Sequence, residues 1–434
     1  MKSRWANRAA ALALAGVMTL CTGCQEAREV NDLVFPLFLG VDQGEGDNLL
    51  LTVKFPTYTG SGGSAPTSGG EEDPFDQGDS NVYTIQCPTM VEGIGMLSRL
   101  MPKQVSLTHV EFLCIGEELA RGGVSRYIMP LQRDEDSSNI MQVLVTQGQA
   151  KEFIMEHSAK MSGNYTREAS LIVQSGSDAG TRSLRFGEFY NQLYATYMDP
   201  VTLYGGVMKE ENQTLPFWQR DGMWNELGTG MTPAHLNVEG PQKSLVTGLA
   251  VFQGDRMVGM MDSYEQCLYD LIQEGTVEEL SFEDPQQEGR YLALLLGPDR
   301  PTRRKGWVED GVCHVKLEVF LEGDVQEGQV ETFYESRQHI EELDEYIEGI
   351  LQHDMERLLE LAQQQWKADI FGLGRLFIGG CSTVDEWEAF DWFSRYPQCE
   401  VELKVHYTTR RGSILYQEDE DQSEMDLQKF EERR

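Results

Sequence analysis

The stretch His109-Val110-Glu111-Phe112-Leu113-Cys114-Ile115-Gly116-Glu117-Glu118-Leu119-Ala120-Arg121 carries the fold class. Its apolar run reaches a glycine and passes into good helix formers, so it reads as a buried strand, a turn at Gly116 and a helix from Glu117 to Arg121. The same alternation extends outward in both directions. Upstream, an apolar strand ends at Gly40-Val41-Asp42, and Asn48 to Phe55 alternates through Leu49, Leu51, Val53 and Phe55. A helix from Thr89 to Leu100 then closes ahead of Pro102. Downstream come a helix at Val124 to Leu131, a strand at Gln142 to Thr146, and helices at Gln149 to Met155 and Gly187 to Met198. Strands alternating with helices predict a mixed sheet with helices packed on it.

The polar stretch from Glu210 to Lys243 keeps no steady period and reads as a connecting region, 210–243. Beyond it, Leu245 to Gln253 turns at Gly254-Asp255 and returns through Met257 to Met260, a hairpin pattern. Asp262 to Ile272 reads as a helix, and Val312 to Leu321 as a strand with Val315, Leu317, Val319 and Leu321 on one face. The longest element runs over 333–367, where Ile340, Leu343, Ile347, Ile350, Leu351, Met355, Leu358 and Ala362 recur at helical spacing. Its charges form no heptad pattern, so it predicts a helix laid across a sheet rather than a coiled-coil seam. A short helix at Glu386 to Tyr396 and a strand at Cys399 to Tyr407 follow. The expected fold is α+β, with two to three mixed α/β domains, each a mixed sheet with packed helices: an N-terminal domain at 24–209 and a C-terminal domain at 244–416. Residues 57–80, rich in Gly, Ser, Pro, Asp and Glu, read as a disordered acidic loop, and 417–434 as a charged tail.

Residues 1–23 have the layout of a lipoprotein signal peptide: basic Lys2, Arg4 and Arg8, an apolar run from Ala9 to Leu20, and Thr22-Gly23 before Cys24. Small side chains beside the cut suit the peptidase, and the Cys24 thiol accepts the lipid. Plain secretion and an uncleaved anchor are the alternatives. Cys21 with Cys24 also spells C-x-x-C, a redox spacing, but cleavage before Cys24 discards Cys21. The cysteines at 87, 114, 267, 313, 381 and 399 stand at no metal or redox spacing and are expected to be mostly free and buried. Export would permit disulfides among them.

With 71 acidic against 36 basic residues and a net charge of −35, the chain is ill suited to nucleic acid, which needs clustered Lys and Arg. The same charge disfavours adhesion of the body to anionic lipid, leaving the acyl chains on Cys24 as the attachment to the membrane. Seven histidines show no H-E-x-x-H and no pair set to share a metal, and neither a G-x-S-x-G elbow nor a Walker loop is present. Adjacent acids such as Glu117-Glu118 and Glu341-Glu342 are ordinary for so acidic a chain. No cofactor, metal or catalytic group is nominated.

Several segments, in order, resemble the Ger(x)C lipoproteins, the third subunit of bacterial spore germinant receptors. Cys24, Arg28-Glu29-Val30-Asn31-Asp32-Leu33 and Gly40-Val41-Asp42 are similar to the family's C-W-D-x-R-E-I-N-D-L and G-I-D segments. Thr108 to Phe112 with Ile115 to Gly123, followed by Arg133-Asp134, resembles its strand, turn and helix. Gly248-Leu249-Ala250-Val251-Phe252 with Met257-Val258-Gly259 is similar to its G-x-A-V-F hairpin, and Lys367 to Gly374 to its A-D-x-F-G-x-G signature. Trp387 and the strand Val401 to Tyr407 fall in order after it. Three features depart from the pattern: Gln25 replaces a tryptophan, Ser137-Ser138-Asn139 stands where a second arginine is usual, and the acidic loop is an expansion.

The resemblance implies a non-enzymatic, lipid-anchored subunit on the outer face of the spore inner membrane, beside two membrane-embedded receptor subunits of A and B type. It would serve receptor assembly or the response to nutrients. It also makes Arg121, Arg133, Asp369, Gly372 and Gly374 candidate structural or partner-contact residues. For Arg121 and for Asp369, buried pairs are expected ahead of partner contacts, and for Gly116, Gly372 and Gly374 a turn or helix end. The rival readings are a solute-binding lipoprotein serving a transporter and a lipid-anchored envelope enzyme.

Overall fold

The computed structural model describes residues 30–56, 80–133, 137–157, 185–208, 243–275, 277–328 and 337–411. The leader, Cys24, residues 57–79 of the acidic loop, residues 210–242 of the connecting region and the tail from 417 lie outside the described residues.

The first sheet has eight strands: β1 (Phe38–Gln43), β2 (Leu49–Pro56), β3 (Ser80–Cys87), β4 (Phe112–Gly116), β5 (Gln142–Thr146), β6 (Val201–Val207), β7 (Ser244–Gln253) and β8 (Arg256–Met261). Their order is β8-β7-β6-β5-β4-β1-β2-β3. The central strands β1, β4, β5 and β6 run parallel, and an antiparallel extension flanks them on each side. Parallel strands buried on both faces need near-continuous apolar sequence, which Phe112–Gly116 and Gln142–Thr146 supply. The hairpin read from the sequence as the opening of the C-terminal unit is hydrogen-bonded to β6 and completes this first sheet. Hairpin chemistry is local and visible in sequence, whereas the strand that accepts a hairpin is a tertiary choice.

One face of the sheet is covered by α1 (Met90–Leu100), α2 (Glu117–Gly122), α3 (Ser125–Arg133) and, further along, the helix Phe186–Leu193, around a core that includes Leu51, Val53, Leu113, Val143 and Phe189. The other face packs on the helix Ala150–Glu156 and shares one continuous core with the second sheet, from Phe38, Phe112 and Leu144 through Tyr264 and Leu268 to Leu317 and Leu351.

The second sheet has four strands, β9 (Glu278–Asp284), β10 (Gln287–Glu309), β11 (Val312–Gly328) and β12 (Glu400–Arg411), in that order. β10 was not legible in the sequence, because it carries Pro298 and Pro301, which break strand patterns. They are tolerated because β9 pairs β10 only as far as Leu296, which leaves the rest of β10 with one free edge, and because the register to β11 shifts between Pro298 and Arg303.

The long helix Arg337–Glu360 links β11 to its parallel neighbour β12, burying Leu343, Ile347, Leu351, Met355 and Leu358. Each such burial is worth about 1.5–3 kcal/mol. The helix widens over Leu361–Trp366 and ends at Lys367, whose φ of 53° is left-handed. It also covers the sheet edge: Asp344, Glu348 and Gln352, spaced one turn apart, accept hydrogen bonds from the backbone N–H groups of Thr409, Tyr407 and Val405 at 2.7, 3.1 and 2.7 Å. An edge strand left bare would template pairing with other chains.

Candidate functional site

The family-like segment after the long helix lies where the two sheets meet. Asp369 is fully buried, and its carboxylate accepts hydrogen bonds from Leu373 N at 3.0 Å, Gly374 N at 2.9 Å and Trp392 Nε1 at 2.9 Å. Its backbone pairs with Asp199, just before β6: Asp369 N donates to Asp199 Oδ2 at 2.9 Å, and Asp199 N donates to the Asp369 carbonyl at 2.8 Å. The other Asp199 oxygen accepts from Gly254 N, in the β7–β8 turn, at 2.8 Å. Three distant pieces of chain are thus joined through two carboxylates.

Burial pushes both acids up to about 6, against the opposing pull of their N–H donors. At Asp369 the charge of Asp199 adds to the upward push. The donors to Asp369 are neutral amides and an indole rather than the cation of a buried ion pair. Further contacts surround the junction: Gln253 Nε2 donates to the Lys367 carbonyl at 3.1 Å, and Trp387 Nε1 to Thr196 Oγ1 at 2.8 Å.

The two glycines of the segment serve in different ways. Gly372 has a φ of 69°, where a side chain is strained. Gly374 has an ordinary φ of −56° and is required by close approach, since a Cβ there would lie 2.7 Å from the Tyr197 carbonyl oxygen and against the Trp392 indole.

A second constellation holds the helix Ala150–Glu156 at both ends. Asp42, at the end of the Gly40-Val41-Asp42 segment on β1, accepts from Ala150 N at 2.6 Å and Lys151 N at 2.9 Å. Lys54 on β2 donates from Nζ to the carbonyls of Ile154, at 2.7 Å, and His157. The anion sits at the helix N-terminus and the cation at its C-terminus, the arrangement the helix dipole favours. Burial raises Asp42 above the ordinary carboxylate range and lowers Lys54 to about 8. A Cβ at Gly116 would collide with the Asp42 carboxylate, so the turn glycine also makes room for this cap.

Arg121 lies on the surface of α2 and pairs with Glu117 at 2.7 Å, with its side chain half-exposed. Glu117 in turn accepts from the Tyr204 hydroxyl at 3.1 Å. Arg133 ends α3 and is exposed. Asp369, Gly372 and Gly374 therefore share one place, while Arg121 and Arg133 belong to the helical layer over the other face of the first sheet.

Sequence reasoning passed over Asp199, Lys54 and Trp392. Their available signals were Asp199 before Pro200 and one lysine inside the apolar strand Leu49–Pro56. Two more acids, half-buried Glu265 and buried Glu278, are pushed up to about 8 by desolvation. Glu265 closes a capping box with Asp262, and Glu278 accepts from Cys267 Sγ at 3.3 Å. Among the described residues there is no group of three or more His, Cys, Asp or Glu side chains arranged for a metal, and no helix long and apolar enough to cross a membrane. The carboxylates of both constellations are engaged with backbone or indole donors, an arrangement that positions chain segments.

Residues 26–206 match the family model described as "Spore germination protein N-terminal domain", and residues 247–413 match "Spore germination B3/ GerAC like, C-terminal". The chain is 22% identical over 412 residues to "Putative spore germination protein YfkR" of Bacillus subtilis (strain 168), covering 92% of this chain and 95% of that protein. The crystal structure of the GerBC protein aligns with 86% of this chain and 97% of its own at 15% identity, with a TM-score of 0.49.

Proposed function

Because the chain belongs to the GerAC-type family of spore germination proteins, we propose that it is the non-enzymatic, lipid-anchored subunit of a nutrient germinant receptor. The observation that carries this reading is the match of both family halves, in order, across nearly all of the described body. In this reading a lipid on Cys24 holds the body at the outer face of the spore inner membrane, beside two membrane-embedded subunits of A and B type. The acidic body contributes surface and rigidity rather than chemistry, which agrees with buried carboxylates occupied in joining chain segments.

The experiment is nutrient-triggered germination of spores that lack the gene, or that carry Cys24→Ala. Both are expected to respond slowly or not at all, with wild-type gene restoring the response. A normal response in the deletion strain would overturn the proposal. A normal response with Cys24→Ala alone would remove the lipid anchor from it.

A further inference from the structure

Six cysteines fall among the described residues, at 87, 114, 267, 313, 381 and 399, and all are thiols. Two of them come together at the root of the second sheet. β11 and β12 are parallel neighbours that pair His314 with Glu400 and Val315 with Val401. Cys313 and Cys399 directly precede the first of these pairs. Alternation puts both on the inward side, with Val315 and Leu317 on one strand and Leu403 and Val405 on the other, and both are buried. Neighbouring strands lie about 4.7–4.9 Å apart. Disulfides span Cα separations of about 4.4–6.8 Å, so side-by-side residues on two strands are within bridging reach.

We infer that Cys313 and Cys399 are a disulfide site, closing under oxidising conditions to tie β11 to β12. The bond would enclose the long helix Arg337–Glu360 in a covalent loop, and a cross-link across a long loop most restricts the unfolded chain. The inference is independent of the receptor role and concerns only the chemistry of this pair.

The oxidant is a small-molecule or protein disulfide. A Cys313 thiolate, its proton lost to solvent, attacks one oxidant sulfur and releases the other as a thiolate that takes up a proton. Cys399 then loses its proton and displaces the remaining oxidant sulfur, leaving the Cys313–Cys399 bond and two reduced oxidant thiols. Two electrons pass from the pair to the oxidant, and two protons are transferred. Either thiol can make the first attack, and the balance is the same. In the folded sheet burial raises both thiols and shields both side chains, so closure belongs to folding, before β12 docks.

The test refolds the full chain in a mixture of reduced and oxidised glutathione, blocks remaining thiols by alkylation and maps the digest by mass spectrometry without reductant. The expected result is a peptide pair joined through Cys313 and Cys399, absent from Cys399→Ser, together with a higher Tm for oxidised than for reduced wild type. If Cys399→Ser fails to fold, the wild-type map alone decides. Alkylation of both cysteines in the oxidised protein, or bonding of either to a different cysteine, overturns the inference.

Discussion

The two buried charge constellations differ in sign balance, and that difference separates a local clamp from a long-range joint. At the helix Ala150–Glu156, Asp42 and Lys54 bring opposite charges to opposite helix ends, all within the first sheet and its cover. At the junction, Asp199 and Asp369 bring two like charges into one buried place and hold β6, the β7–β8 turn and the segment after the long helix. Opposite charges at helix ends remain favourable when ionised, whereas two buried acids work against each other as both ionise. The clamp is therefore a joint within one layer, whose lysine is lowered to about 8, and the junction is the place where the union of the two sheets responds to pH between about 4 and 6.

The largest expected effect breaks the junction. Asp369→Ala leaves the buried N–H groups of Leu373, Gly374 and Trp392 without their acceptor and, at about 1–3 kcal/mol for each unsatisfied buried group, should cost about 3–5 kcal/mol in all, read from denaturant midpoints. Lys54→Met strands the Ile154 and His157 carbonyls at the clamp and should cost about 1–3 kcal/mol by the same measurement. Gly374→Ala, which forces a methyl against the Tyr197 carbonyl and Trp392, is expected to cost about 1–3 kcal/mol.

The pH response sharpens the contrast. Acids raised to about 6 keep their protons in the folded chain at pH values where the unfolded chain has lost them, so stability falls as pH rises from about 4 through 6. Glu265 and Glu278, raised to about 8, act in the same direction over a wider range. Wild type should be more stable at pH 5.5 than at 7.5, and Asp369→Asn should shrink that gain by about 1 kcal/mol. Equal gains in the two proteins would refute the assignment of the pH response to the junction. Smallest of all, Arg121→Ala should change stability by less than about 0.5 kcal/mol, because the Arg121 end of its pair with Glu117 is half-exposed to solvent and Glu117 keeps the Tyr204 hydroxyl.

The central strands were legible in the sequence because a strand buried on both faces is written as unbroken apolar residues, as in Phe112–Gly116. The long helix was legible because Leu343, Ile347, Leu351, Met355 and Leu358 repeat its period. Periodicity does not name the partner of an element. Nothing in Ser244–Met261 says that the hairpin pairs with β6, and nothing in Leu49–Pro56 says that Lys54 faces a helix end rather than water. The prolines of β10 concealed it, since their tolerance depends on where β9 stops. At the junction, Asp369, Gly372 and Gly374 stand in one recognisable segment, whereas Asp199 lies 170 residues away and no local pattern links it to them.

The most direct measurement is chemical denaturation of the purified full chain, followed in parallel by tryptophan fluorescence and far-ultraviolet circular dichroism, for wild type, Lys54→Met and Asp369→Ala. If Asp199 and Asp369 make the two sheets one cooperative unit, wild type and Lys54→Met unfold in one coincident transition, and Asp369→Ala separates into two. A single coincident transition in Asp369→Ala would contradict the account.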